Sequence, residues 1–190
     1  MRSRQVALFV ALLLLVGAMA PSVALGHTSK AAYDYHVGDT LIGSIGFPTN
    51  SQAVASNGDV VTIVGTGSFS AAGKWATGGG TFSHHVAATD ATITGTWVAT
   101  RLISYQSYGC GELEGSPVPP NFCGGVAKLA ITATPDANPG VHLSAALTIT
   151  CVVGASVTPN AIEGVRVNVY DVINFNKTVP ESGANIFIAQ

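Results

Sequence analysis

Apolar and polar residues alternate along most of this chain with a period of two. The clearest run is 141–153. Val141, Leu143, Ala145, Leu147, Ile149, Cys151 and Val153 share one face, while His142, Ser144, Thr148 and Thr150 share the other. Successive side chains of a strand point to opposite faces, so this run reads as a half-buried strand. KLAITAT at 128–134 precedes it across PDANPG at 135–140, a turn with two prolines and a closing glycine, and the two runs predict a β-hairpin. Val165, Val167 and Val169, alternating with Arg166, Asn168 and Tyr170, predict another strand, and NIFIA at 185–189 a last short one. DVVTIVGTGSF, GGTFSHH and TITGTWVATRLISYQ predict three in the first half, with DTLIGSIG as a further strand ahead of them. Past residue 26 no segment carries a 3.6-residue stripe. Roughly eight or more strands at hairpin spacing predict an all-β fold, a single antiparallel β-barrel or sandwich.

Three times a glycine precedes a hydroxyl residue and an aromatic ring: Gly67-Ser68-Phe69, Gly80-Thr81-Phe82 and Gly95-Thr96-Trp97. Residues two apart share a strand face, so each glycine leaves a gap beside a ring on the face that ring occupies. A ring from a neighbouring strand can lie over such a gap, and the glycine lets the strand coil. The pattern predicts one curved meander with aromatic-on-glycine packing. Continuing the alternation from Trp97 through Ala99 turns Arg101 inward with Ile103 and Tyr105. Either a bulge near Thr100 resets the register, or a guanidinium sits inside the fold and needs an anionic partner.

The first 26 residues change the picture of where the domain resides. Arg2 and Arg4 precede an uninterrupted apolar run at 6–16, Pro21 breaks it, and Ala24-Leu25-Gly26 fits a small-x-small cleavage site, with Ser22-Val23-Ala24 as its competitor. Together these predict a signal peptide at 1–26, export of a single β domain at 27–190, and a secreted, periplasmic or cell-surface location. Cleavage removes two of the eight basic residues, leaving six against ten acidic ones. Charged residues are 9% of the chain and form no basic patch, which excludes a nucleic-acid partner. No other apolar run is long enough to span a membrane.

Three cysteines in an exported chain imply one pair and one leftover thiol. Cys110 and Cys123 bracket a Gly/Pro-rich excursion and are the expected disulfide. Cys151, on the apolar face of its strand, is expected to be a buried, inert thiol.

TGGGTFSHH and GTWVATRLISYQSYG within 77–108, with the later NFNK, resemble a loose group of uncharacterised exported bacterial and archaeal β-rich proteins. ITGTW at 93–97 is similar to the first strand of avidin-type barrels. ATGGGTF at 76–82 resembles the glycine-rich strand of allene oxide cyclase and dirigent barrels, which implies a barrel with a lipophilic pocket.

G-x-S-x-G, H-E-x-x-H and C-x-x-C motifs are absent, so no catalytic residues are nominated. Three functions follow from what remains. The first is a non-enzymatic structural or binding module, with NIFIAQ as a strand edge for self-association. The second is a lipophilic small-ligand barrel, including a cyclase or isomerase, with Arg101, Tyr105 and Trp97 lining the pocket. The third is copper binding. A cut after Gly26 makes His27 the mature N-terminus, whose α-amino group and imidazole together suit copper, an arrangement that resembles the histidine brace. His36, His84 and His85 are the candidate further ligands, with alternation putting His84 and His85 on opposite faces.

Overall fold

The computed structural model describes residues 32–190. The segment 1–26 expected to be a signal peptide, and His27, lie outside the described residues. Among the described residues there are thirteen strands and one short helix. They are β1 (Ala32–Val37), α1 (Thr40–Ser44), β2 (Ser51–Val54), β3 (Val60–Ser70), β4 (Trp75–Val86), β5 (Ala91–Cys110), β6 (Glu112–Leu113), β7 (Ser116–Pro117), β8 (Phe122–Pro135), β9 (Leu143–Cys151), β10 (Gly164–Val169), β11 (Ile173–Phe175), β12 (Lys177–Thr178) and β13 (Asn185–Ala189). All but β6 and β7, which make a separate hairpin, join one 11-stranded sheet.

Every pairing in that sheet is antiparallel, and six of the strands return on themselves. β1 pairs β3, β3 pairs β4, β4 pairs β5, β5 pairs β8, β8 pairs β13, and β13 pairs β1. The long strands β3 and β8 carry two neighbours on one side: β3 pairs β2 then β1, and β8 pairs β13 then β9. β10 and β11 extend from β9, and β12 extends from β2. The hydroxyl of Thr178 in β12 donates to the Val165 carbonyl of β10 at 2.9 Å, which brings these two extensions together.

The hairpin expected at 128–153 forms as β8 and β9, and the strand at 165–169 forms as β10. DTLIGSIG does not form a strand. Asp39 caps α1 instead, its Oδ1 accepting from the backbone N–H groups of Leu41 at 3.1 Å and Ile42 at 3.2 Å. The first strand is AYDYHV, whose Tyr33, Tyr35 and Val37 are buried while Asp34 and His36 point outward. The expected edge at NIFIAQ is not one. β13 lies between β1 and β8 with Asn185, Ile186 and Phe187 buried, because its apolar residues fill the gap that closes the circuit.

Glycines on the inner face make room for rings from adjacent strands. Trp97 of β5 stands opposite Gly80 of β4, which stands opposite Gly65 of β3. Phe82 stands opposite Gly95, and a β-carbon there would meet the Phe82 ring at 2.5 Å. Tyr35 crosses Gly67 and donates its hydroxyl proton to the Thr77 carbonyl at 2.8 Å. Phe69 and Trp97 are fully buried, and Phe82 is half-buried. Beyond this row Tyr33, Phe69, Tyr105 and Phe187 form an aromatic cluster with ring centroids 4.9–5.7 Å apart.

Cys110 and Cys123, opposite each other on β5 and β8, form the disulfide, and Cys151 is a buried free thiol. A buried polar network ties three further strands together. The Glu163 carboxylate accepts from the N–H of Val152 at 2.8 Å and of Asn185 at 2.7 Å. The Asn185 amide donates to Thr150 O at 3.0 Å, and Ser51 Oγ donates to its carbonyl at 2.9 Å.

Candidate functional site: an apolar cavity beside a histidine–aspartate pair

One end of the interior is not filled. Between β3, β4, β5, β8 and the β10–β11 hairpin lies a cavity of about 200 Å³. Val61, Ile63, Trp97, Ile131, Val167 and Phe175 form its depth. Trp97 packs against the Gly65 position and Phe82 against the Gly95 position, and both rings are part of the cavity wall. Ile93, 40% exposed, and Val172, 63% exposed, both line the cavity, so it meets solvent at an apolar rim. Tyr170 and Val141 add exposed apolar surface.

His84 is the one titratable side chain in the lining. Its ring stands edge-on to Phe175 with centroids 5.1 Å apart. Nε2 lies 2.8 Å from Oδ2 of Asp59, a residue at the foot of β3 that is only 4% exposed. Oδ1 of Asp59 accepts from Ala87 N–H at 3.0 Å. These bonds, that of His84 foremost, hold the Asp59 carboxyl below its ordinary range. An ionised carboxylate only accepts, so in the neutral imidazole Nε2 carries the proton and Nδ1 keeps its lone pair. Among the described residues no buried side-chain nitrogen or oxygen lacks a partner, so Nδ1, which bonds to no other group, is reached from solvent space.

The three residues expected to line a pocket are not brought together. Arg101 is exposed because the β5–β8 register shifts between Ala99 and Arg101, the bulge at Thr100 that turns the guanidinium outward. Tyr105 packs in the aromatic cluster with its hydroxyl donating to Gly124 O at 3.2 Å, and burial raises its phenol above the ordinary range. Trp97 alone is in the cavity wall. The metal candidates also separate. His84 faces inward to Asp59, His85 lies on the opposite face 3.6 Å from Asp90, and His36 sits 2.6 Å from Asp39. Among the described residues no three His, Cys, Asp or Glu side chains are grouped to hold a metal ion.

Asp59 is the site residue that sequence reasoning missed. Its signal is indirect: pairing Gly80 with Gly65 along one hairpin places His84 opposite Val61, two residues from Asp59. Comparison with family models, with curated proteins and with solved structures gives no match.

Proposed function

We propose that the chain is an exported, non-enzymatic binding module whose curved sheet is a β-barrel holding a small lipophilic ligand in the cavity above His84. The observation that carries this reading is an apolar chamber with an apolar rim at one end of an otherwise packed interior. A dry cavity of about 150 Å³ binds benzene, so by proportion this one takes about eight non-hydrogen atoms. The closed six-strand circuit supports the barrel, and the disulfide is compatible with an oxidising compartment. The almost wholly apolar lining fits a lipophilic ligand.

Titration with p-xylene tests the reading. Trp97 is in the wall, and Trp75, 42% exposed, can be replaced with phenylalanine to leave Trp97 as the only tryptophan reporter. A saturable change in Trp97 emission is expected, and its absence contradicts the proposal.

A further inference from the structure

The outer face of the sheet, away from the cavity, gathers positive charge. Five of the eight basic residues lie in the described part of the chain. Three of them, Arg101, Lys128 and Arg166, are far apart in sequence and are brought together by strand register. Lys128 of β8 and Arg166 of β10 both stand opposite Thr148 of β9. Residues directly opposite in an antiparallel pair share a face, so these two cations flank one threonine with Cα atoms about 10 Å apart. Arg101 of β5 stands opposite Ala130, the next outward position on β8. The alternate residues Leu129, Ile131, Val165 and Val167 are buried, whereas Arg101, Lys128 and Arg166 are all exposed.

Nothing on this face balances the charge. β5, β8, β9, β10 and β11 contain no aspartate or glutamate, and the ten acidic residues lie in β1, β6 and the connecting segments. Among the described residues every ion pair joins a histidine to an aspartate, so all three cations are unpaired. Between them the register places Ser104, Ala130, Ala146 and Thr148, with Asn168 alongside. These are small or hydrogen-bonding side chains, with no aromatic ring and no large apolar group.

We infer that this face docks an acidic polysaccharide, a chain of uronate or sulfated sugars laid across β5, β8, β9 and β10 with its anionic groups on Arg101, Lys128 and Arg166. Charge complementarity carries the assignment: three unpaired cations share an acid-free surface in a chain with an excess of acid. An acidic sugar chain is anionic and hydroxylated along its length, and Ser104, Thr148 and Asn168 supply hydrogen-bond partners for hydroxyls. The other polyanions fit less well. Single-stranded nucleic acid is held by stacking on aromatic rings, which are missing between the cations. An anionic bilayer is recognised by basic clusters of about four or more. A protein partner needs an apolar centre to its interface, and this surface has none.

The test is a titration of the purified protein with alginate, a linear polyuronate, at low salt. Neutral dextran, single-stranded DNA and phosphatidylcholine–phosphatidylglycerol vesicles are the comparators. Saturable binding to alginate is expected, tighter than to any comparator and weakening steadily with added salt. Lys128→Gln with Arg166→Gln changes two exposed positions and leaves the core untouched, and it should lower alginate affinity about tenfold. Lys74→Gln removes an exposed positive charge from the β3–β4 turn and should leave the affinity within about twofold of wild type. Absence of alginate binding, a comparable loss in Lys74→Gln, or equal or tighter binding to dextran, DNA or vesicles overturns the assignment. p-Xylene binding should be the same in every variant, so the cavity reading stands or falls separately.

Discussion

The indole of Trp97 in β5 reaches across β4 to lie on the backbone of Gly65 in β3, where its Nε1–H donates to Val64 O at 3.2 Å. Gly80 of β4 lies between them in register. A β-carbon at Gly65 would run into the indole, and one at Gly80 into the β3 backbone. The smallest residues of two strands thus seat the largest buried ring of a third and leave that ring as a wall of the cavity.

Gly65→Ala should therefore overpack the interior and destabilise the fold by about 2 kcal/mol, with Trp97 emission shifted to the red. Chemical denaturation followed by fluorescence measures both. Gly140→Ala is the control: a β-carbon there meets nothing within 4 Å, and stability should stay within about 0.5 kcal/mol of wild type.

Glu163 gives the fold a pH dependence of definite sign. Burial raises its carboxyl from 4.5 to about 7 despite the bonds it accepts from Val152 and Asn185. The folded state holds the proton more tightly, so this contribution is complete below pH 4.5 and is lost as pH rises through about 7. Cys151, the neighbouring titratable group, is pushed well above its ordinary range by burial and stays neutral throughout. Asp59, held low by His84, acts in the opposite sense but at more acidic pH. Denaturation from pH 5 to 8 should show stability falling by about 3 kcal/mol, and Glu163→Gln should flatten the slope.

Cys110 and Cys123 close a loop with a sequence separation of 13. Replacing both with serine should cost about 3 kcal/mol, measured as a shift in the denaturation midpoint. Cys151 should stay unreactive to thiol reagents in the folded protein, since it is buried with its Sγ–H directed at Cys123 O, 3.5 Å away.

Arg101→Ala should change neither stability by more than about 0.5 kcal/mol nor ligand binding, because the bulge leaves Arg101 in solvent. Thermal melts and a p-xylene titration check the two halves.

Alternation made most strands legible: Ala145, Leu147, Ile149, Cys151 and Val153 of one run and Val165 and Val167 of another are buried as expected, although Val141 is exposed, and Gly80-Thr81-Phe82 and Gly95-Thr96-Trp97 mark where rings pack against glycine. β13 read as an edge because five residues of NIFIA say nothing about which strands flank them. DTLIGSIG read as a strand because five residues of helix are too short to display a period, although Asp39 was the cap to notice. The cavity was only partly legible. Trp97 and His84 carried chemical signals, but Asp59 joins them only through the register of β3 on β4, and the bulge that expels Arg101 costs one residue that no pattern announces. Empty volume is a property of how strands close, not of any one of them.

The most direct test of the account is an NMR titration of methyl-labelled protein with p-xylene. Saturable shifts and intermolecular NOEs are predicted at Val61, Ile63, Ile131 and Val167, which line the cavity, and they should vanish in Val169→Phe, whose ring would fill it. Shifts that do not saturate, or that gather instead at exposed apolar residues remote from the cavity such as Ile45 and Val98, would contradict it.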